Sequence, residues 1–387
     1  WSKVNPAIFG TFFEYGMDAA ERHAAGAHYT YEIDIKKIVD PVIVQPFQNK
    51  IAEALEAAMP IDALYKVLDS LRAYRVLDPA CGSGNFLFVA YREMKKLEKQ
   101  LLRVIRDRST KREDAKRLRT CLENTPYVSI KQFHGMDLKG TSVEVAKVTL
   151  MTAKELWVTE HGEDYDREKA LPLDNLDEHI LCVDALLNDD GSQRAWPEVD
   201  CIIGNPPFQS KNKMQQELGA EYVAKLHAAY PEVPGRADFC VYWFRRAHDH
   251  LKEGQRAGLV GTNTIRENYS RNGSLDHILA NEGTIFNAVS SQDWNGQAAV
   301  DVSIVCWQKG DYEGEFHLYT QVKNGDMHLH EVPSINSSLS TNTDVASAVQ
   351  LNCNKEPTKC FQGQTHGYKG FLVSRAEGER LIKRDKR

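Results

Sequence analysis

Residues 205–208 read Asn205-Pro206-Pro207-Phe208, directly after the apolar stretch Asp200-Cys-Ile-Ile-Gly204. Each proline holds φ at about −65° and removes a backbone N–H, so the Pro206 carbonyl has no competing donor beside it. The Asn205 side-chain oxygen and that carbonyl can then both accept from one planar –NH2 group. Phe208 offers a ring face to the aromatic system carrying the amine. Such an edge suits holding an exocyclic amine while a group is transferred to its nitrogen. An ordinary strand-ending turn uses the same residue types, so the reading depends on a donor site elsewhere in the chain.

One is legible upstream. Tyr74-Arg-Val-Leu-Asp78 has the make-up of a short buried strand and runs into Pro79-Ala80-Cys81-Gly82-Ser-Gly84-Asn85-Phe86. A helical pattern starts at Phe86-Leu-Phe-Val-Ala-Tyr. Strand, Gly-rich turn and helix start let a ligand approach the backbone and aim free N–H groups at a polar or anionic group. The spacing is neither a P-loop, since no Gly-Lys-Ser/Thr follows, nor the Gly-x-Gly-x-x-Gly of a dinucleotide site. Two further acids end strand-like stretches: Asp137 after Phe133-His-Gly-Met, and Asp184 after Ile180-Leu-Cys-Val. In an open α/β sheet ligands sit at the carboxyl ends of strands. Three acids there can hold an amino group, a ribose diol and an adenine amine. Any one of them alone also fits a solvated strand-end acid; their order, with Asn205 to follow, carries the inference.

Together these stretches resemble a class I S-adenosylmethionine-dependent DNA methyltransferase of the N6-adenine type. Asp78-Pro-Ala-Cys-Gly-Ser-Gly-Asn-Phe86 is similar to that family's cofactor motif and Asn205-Pro-Pro-Phe208 to its catalytic motif. Gly26-Ala-His-Tyr-Thr30 resembles the N-terminal capping motif, which gives the γ order, although Tyr31 follows where relatives commonly carry proline. Glu217-Leu-Gly-Ala-Glu-Tyr222, Pro234-Gly-Arg-Ala-Asp-Phe-Cys-Val-Tyr-Trp243 and Cys360-Phe-Gln-Gly-Gln-Thr resemble the methylase region of MmeI-like (type IIL) restriction–modification enzymes.

The resemblance implies a Rossmann-like α/β fold, a seven-stranded, mostly parallel sheet with an N-terminal helical segment. It implies S-adenosyl-L-methionine as cofactor and Asn205, Pro206, Pro207 and Phe208 as catalytic residues. Cofactor contacts are expected from Thr30, Asp78, Pro79, Ala80, Cys81, Gly82, Gly84, Asn85, Phe86, Asp137 and Asp184. Among these, Asp137 is expected on the ribose hydroxyls, Asp184 on the cofactor adenine, and Thr30 with residues 80–82 at the methionine end. Asp238 is a further candidate, with helix N-capping as its structural alternative. The implied substrate is double-stranded DNA whose target adenine flips out and stacks on Phe208, with no metal and no covalent intermediate. The same turn also fits an –NH2 of RNA, of cytosine N4 or of a protein glutamine amide. A non-catalytic cofactor-binding scaffold for a nuclease would have no need of the amine clamp.

Patterning supplies the elements that must position these residues. Residues 1–60 read mainly as helices, with Ala-rich amphipathic stretches at 17–25 and 51–59, and Thr30 within the capping motif. From 61 to 310 strands and helices alternate, which implies a mostly parallel sheet and the methyltransferase core. Helices are expected at 142–157 and 239–251, and strands at 257–261, 284–289 and 300–307; the resemblance makes the last two a reversed hairpin. Residues 311–387 are polar, Ser/Asn-rich at 335–343, and expected as a C-terminal extension or the start of a target-recognition domain. Asp137 follows Asp78 by 59 positions, against roughly 20 in a simple βαβ unit, so an insertion separates them. Residues 92–119 carry twelve Lys/Arg and five Asp/Glu, a local +7 in a chain of −6. A stripe for DNA phosphates and a solvated helix with internal ion pairs both fit.

At 42% hydrophobic and 26% charged, the chain can bury one substantial core with a smaller satellite. It shows no membrane-length apolar run and no signal-peptide pattern, which points to a cytoplasmic enzyme. The eight cysteines include no Cys-x-x-Cys and are expected as reduced thiols, with Cys81 serving only as a small residue in the cofactor turn. A protein gripping a duplex unaided is usually basic, and this one is mildly acidic. With ends at Trp1 and Arg387 and no Asp…Glu-x-Lys nuclease constellation, the chain is expected to be the methylase region of a longer protein that also carries nuclease and target-recognition domains.

Overall fold

Successive strand residues point to opposite faces of a sheet, and here both directions are apolar. In the computed structural model, which describes residues 30–109, 111–124, 128–161, 175–294, 301–322, 325–342 and 374–384, β1 (Val76–Asp78) sends Val76 into one buried layer and Leu77 into the other. β4 (Cys201–Gly204) divides in the same way, Cys201 and Ile203 against Ile202. Strands buried on both faces need helices on both.

The first layer receives α1 (Glu32–Val39), α2 (Gln45–Glu56), α3 (Pro60–Ala73), α4 (Asn85–Arg108) and α6 (Gly140–His161). α5 (Arg112–Asn124) lies between α4 and α6 in the chain. α7 (Lys211–Glu217) and α8 (Ala220–Ala229) come after β4, followed by α9 (Val241–His250), α10 (Asn268–Gly273) and α11 (Leu275–Ala280). The second layer is built around Tyr230, Phe239, Tyr242, Trp243, Phe244 and Trp307.

The remaining strands are β2 (Phe133–Asp137), β3 (Ile180–Cys182), β5 (Arg256–Thr262), β6 (Gly283–Asp293), β7 (Asp301–Lys309), β8 (Phe316–Gln321) and β9 (Met327–Val332). The sheet order is β3-β2-β1-β4-β5-β7-β6-β8-β9. β3 to β5 run parallel, and β7 pairs antiparallel with both β5 and β6. The sheet therefore has nine strands where seven are expected. β8 adds to the far edge of β6 in parallel, and β9 folds back on β8. Of the hairpin's strand residues only Leu318 is buried, so no apolar alternation announces these strands.

Contacts divide the chain into two compact units, Trp1–Ala346 and Ser347–Arg387; the described part of the second centres on α12 (Arg375–Arg384). The Ala-rich stretch 17–25, residues 26–29 of the capping motif and the Cys360 stretch lie outside the described residues. Four described cysteines (Cys81, Cys201, Cys240 and Cys306) are free and buried, and Cys182 is free and exposed. Among the described residues no helix is long and apolar enough to cross a membrane.

The insertion between Asp78 and Asp137 is α4 and α5, and many of the bases in α4 are spoken for. Lys95 and Glu98 are fully buried at 3.0 Å, and Arg72 of α3 reaches the same carboxylate at 3.0 Å. Glu98 also accepts the Val128 N–H at 3.1 Å. Arg92 pairs with Glu32 and Glu93, and Lys96 with Glu93. Removing one member of a buried ion cluster strands the others in a low dielectric. Glu98→Gln is therefore expected to lower the free energy of unfolding by about 3–5 kcal/mol in urea denaturation. A loss below about 1 kcal/mol would show that the cluster does not need its anion.

Candidate active site

The sheet order reverses between β1 and β4, and this is the position where an open α/β sheet holds its ligands. β1 ends in Asp78, which is 1% exposed. Its Oδ1 accepts the Ala80 N–H at 3.0 Å, which starts the turn. The Cys81 N–H donates to the Met136 carbonyl of β2 at 2.9 Å, and the Gly84 N–H to the Cys81 carbonyl at 2.8 Å. Gly84 then enters α4 at φ +84°, and a Cβ there would stand 3.0 Å from the Ala146 backbone. A residue with a side chain fits neither the conformation nor the space.

The turn and the second acid are joined directly. The Gly82 N–H donates to Asp137 Oδ2 at 3.1 Å, and the Lys139 N–H to Oδ1 at 2.8 Å. Burial raises the Asp137 carboxyl above its ordinary value, with the two N–H donors opposing. Burial also pushes Asp78 up to about 8, opposed by the Ala80 N–H and reinforced by the Asp137 carboxylate. Burial and the same two acids hold the Cys81 thiol well above its usual range, so it is no thiolate nucleophile. Asn85, at the first position of α4, carries a buried side-chain oxygen without a hydrogen-bond partner among the described residues.

Asp184 stands apart from this turn. Its carboxylate accepts from Leu186 and Leu187 N–H and from the Tyr222 hydroxyl.

β4 delivers the Asn205–Phe208 turn to the same place. A Cβ on Gly204 would lie 2.5 Å from Asp78 Oδ1, so the end of β4 packs directly against that carboxyl. Asn205 follows. Its Nδ2 donates to Thr30 Oγ1 at 3.2 Å, and Thr30 is itself buried. Because an amide is planar, holding Nδ2 also sets Oδ1, which is buried and has no partner among the described residues. Phe208 faces Trp294 edge-on, with ring centroids 6.4 Å apart. The Trp294 indole N–H is buried and likewise lacks a partner among the described residues.

The turn is clamped from behind by Asp238. Its carboxylate accepts from Gln209 N–H (3.2 Å), Phe239 N–H (2.8 Å) and the Thr262 hydroxyl (2.8 Å). α9 begins at Val241 with Cys240 as its cap residue, so Asp238 does not cap that helix. It ties the chain after Phe208 to the end of β5. Trp243 makes a second tie, donating to the Pro79 carbonyl at 3.0 Å. Tyr222 and Trp243 lie in stretches marked only by family resemblance, and Trp294 carried no local signal of a site. Only the sheet brings them from α8, α9 and the end of β6 to the strand ends.

A family model described as MmeI, DNA-methyltransferase domain, matches residues 51–319. The chain belongs to that family. Among similar proteins, DNA methyltransferase A of Bacillus subtilis (strain 168) is 26% identical over 333 residues, 79% of this chain and 33% of that protein. A putative type II restriction enzyme and methyltransferase of Methanocaldococcus jannaschii is 26% identical over 175 residues, 39% of this chain and 14% of that protein. Among solved structures, the type IIL restriction–modification enzyme MmeI in complex with DNA superposes with a TM-score of 0.73 at 25% identity, covering 89% of this chain and 45% of that one. The DrdV–DNA complex shares the fold at a TM-score of 0.52 and 14% identity, over 88% of this chain and 33% of that one. This MmeI-family domain thus spans a third or less of the curated relatives it matches and under half of the MmeI chain.

Asp78 binds its proton more tightly folded than unfolded, since its pKa rises from 3.8 to about 8. Its stabilising contribution is full below the unfolded pKa and is lost as pH rises through the folded one. Asp78→Asn, which cannot ionise, is expected to gain stability relative to wild type as pH rises from about 5 to about 8. Urea denaturation at the two pH values checks this, and a difference that stays flat would show that the carboxyl ionises freely in the fold.

Proposed function

We propose that this domain transfers the methyl group of S-adenosyl-L-methionine to the exocyclic N6 of a flipped-out adenine in DNA, as the modification part of a restriction–modification system. The observation that carries the reading is the buried Oδ1 of Asn205, which has no partner among the described residues, is set by Thr30 and lies beside the Asp78 turn. A buried acceptor without a donor costs free energy, and a target amine is a donor that would relieve it.

The residues of the first turn fit the cofactor. A cation against Asp78 would offset the burial that raises its carboxyl, and Asn85 offers an acceptor that lacks a donor among the described residues. Asp137 and Asp184 are the acids for the ribose hydroxyls and the nucleoside amine, and Thr30 with residues 79–82, 84 and 86 completes the contact set. When bound, S-adenosylmethionine supplies an electrophilic methyl on a sulfonium. Adenine N6 is a poor nucleophile because its lone pair is delocalised into the ring. Asn205 Oδ1 and the Pro206 carbonyl accept its two hydrogens, favour a pyramidal nitrogen and stabilise the positive charge that develops there. Pro207 stiffens the turn. Phe208 stacks on the extruded base, with Trp294 at its edge. Nuclease and target-recognition functions are assigned to the parts of a longer protein that this domain does not span.

The test is to incubate the full-length protein with labelled S-adenosylmethionine and plasmid DNA, then digest to nucleosides. Label is expected in N6-methyladenine, with Asn205→Ala lowering its rate by about 100-fold or more. Label in N4-methylcytosine would replace the base assignment, and label taken up only when RNA or protein is supplied in place of DNA would replace the substrate class. Cofactor binding without transfer would favour the scaffold reading.

A further inference from the structure

Asp184 presents two unequal oxygens. Oδ1 accepts the Leu186 N–H at 2.7 Å and the Leu187 N–H at 3.2 Å, which fills it. Oδ2 accepts the Tyr222 hydroxyl at 2.8 Å. A carboxylate oxygen has two lone-pair sites, so Oδ2 retains one for a second donor. Burial and the Asp184 carboxylate push the Tyr222 phenol well above its ordinary range, so the hydroxyl stays a donor at working pH.

Tyr222 lies on α8, within residues 209–240 that follow the amine-holding turn. This segment is fastened to the stretch after Asp184 at two more points. The Tyr230 hydroxyl donates to the Leu186 carbonyl at 3.0 Å, and Gln193 Nε2 to the Ala229 carbonyl at 2.7 Å. At its start, Gln209 Nε2 donates to Glu217 Oε2 at 2.7 Å, and the Gln209 backbone is held by Asp238 and Phe239. The Tyr222 ring meets Phe239 edge-on with centroids 6.5 Å apart.

We propose that Tyr222 is a positioning residue of the cofactor site: its hydroxyl fixes the Asp184 carboxylate and leaves one Oδ2 lone pair for the exocyclic amine of the cofactor adenine, so that α8 forms one wall of the nucleoside pocket. This rests on the assignment of Asp184 to that amine made above. Because α8 and the turn at Asn205 belong to one tied segment, nucleoside binding and the order of residues 209–240 are coupled, and such coupling is reciprocal.

Calorimetric titration of this chain with S-adenosylhomocysteine and with S-inosylhomocysteine tests it, the second ligand carrying an oxo acceptor in place of the amine. The wild type is expected to prefer the adenosyl ligand. Tyr222→Phe is expected to lose about tenfold in affinity for the adenosyl ligand and less than about twofold for the inosyl one. Hydrogen exchange gives a second readout: the adenosyl ligand should slow exchange of α8 amides in the wild type and much less in Tyr222→Phe. A variant that weakens both ligands equally, or keeps the wild-type preference, overturns the inference alone. A wild type that binds neither ligand overturns the cofactor assignment, and the inference with it.

Discussion

β1 and β4 lie side by side so closely that the Asp78 carboxyl occupies the space a side chain at Gly204 would need. The two strands pair in parallel from Val76 opposite Cys201, and both then end at the switch point of the sheet. The Gly-rich turn and the Asn205 turn therefore leave the sheet as neighbours although 126 positions separate Asp78 from Gly204. The proposed methyl transfer needs its donor and acceptor in one place, and the missing Cβ at Gly204 lets the two turns lie that close.

Rigidity around this point comes from hydrogen bonds between elements. Asp78 holds Ala80, Asp137 holds Gly82, Trp243 holds Pro79, and Asp238 holds Gln209 and Thr262. Asp78, Asp137 and Asp238 are held by these N–H and O–H donors. Burial raises all three carboxyls. Three buried polar atoms, Asn85 Oδ1, Asn205 Oδ1 and Trp294 Nε1, have no partner among the described residues and stand outside this accounting.

α4 runs 24 residues from the Gly-rich turn, about 36 Å at 1.5 Å per residue, so the exposed Arg103, Arg106 and Arg108 lie far along the helix from Asn85. Its first half is locked by Glu32, Glu93 and Glu98. Ion pairing thus accounts for Arg92, Lys95 and Lys96, and packing of α3, α4 and α6 against the sheet accounts for the buried face of α4.

Much of the architecture is legible in the sequence, because β1, β2, β4 and β5 are short apolar runs ending in Asp, Gly or Thr and are separated by helical periods. Residues 133–137 and the helix and strand after Asn205 fall close to their expected places for the same reason. The β8–β9 hairpin was not legible, since a half-exposed edge pair carries one buried residue and no clean alternation. Local pattern also identified the two turns, because proline and glycine dictate backbone geometry from within their own few residues. The partners of those turns were decided by the tertiary structure alone. Thr30 beside Asn205, Trp294 beside Phe208, Tyr222 on Asp184 and Asp238 behind Gln209 are contacts across 29 to 175 positions. Such contacts form because the sheet order brings distant strand ends together, and nothing in the neighbouring residues of the chain encodes which side chain arrives.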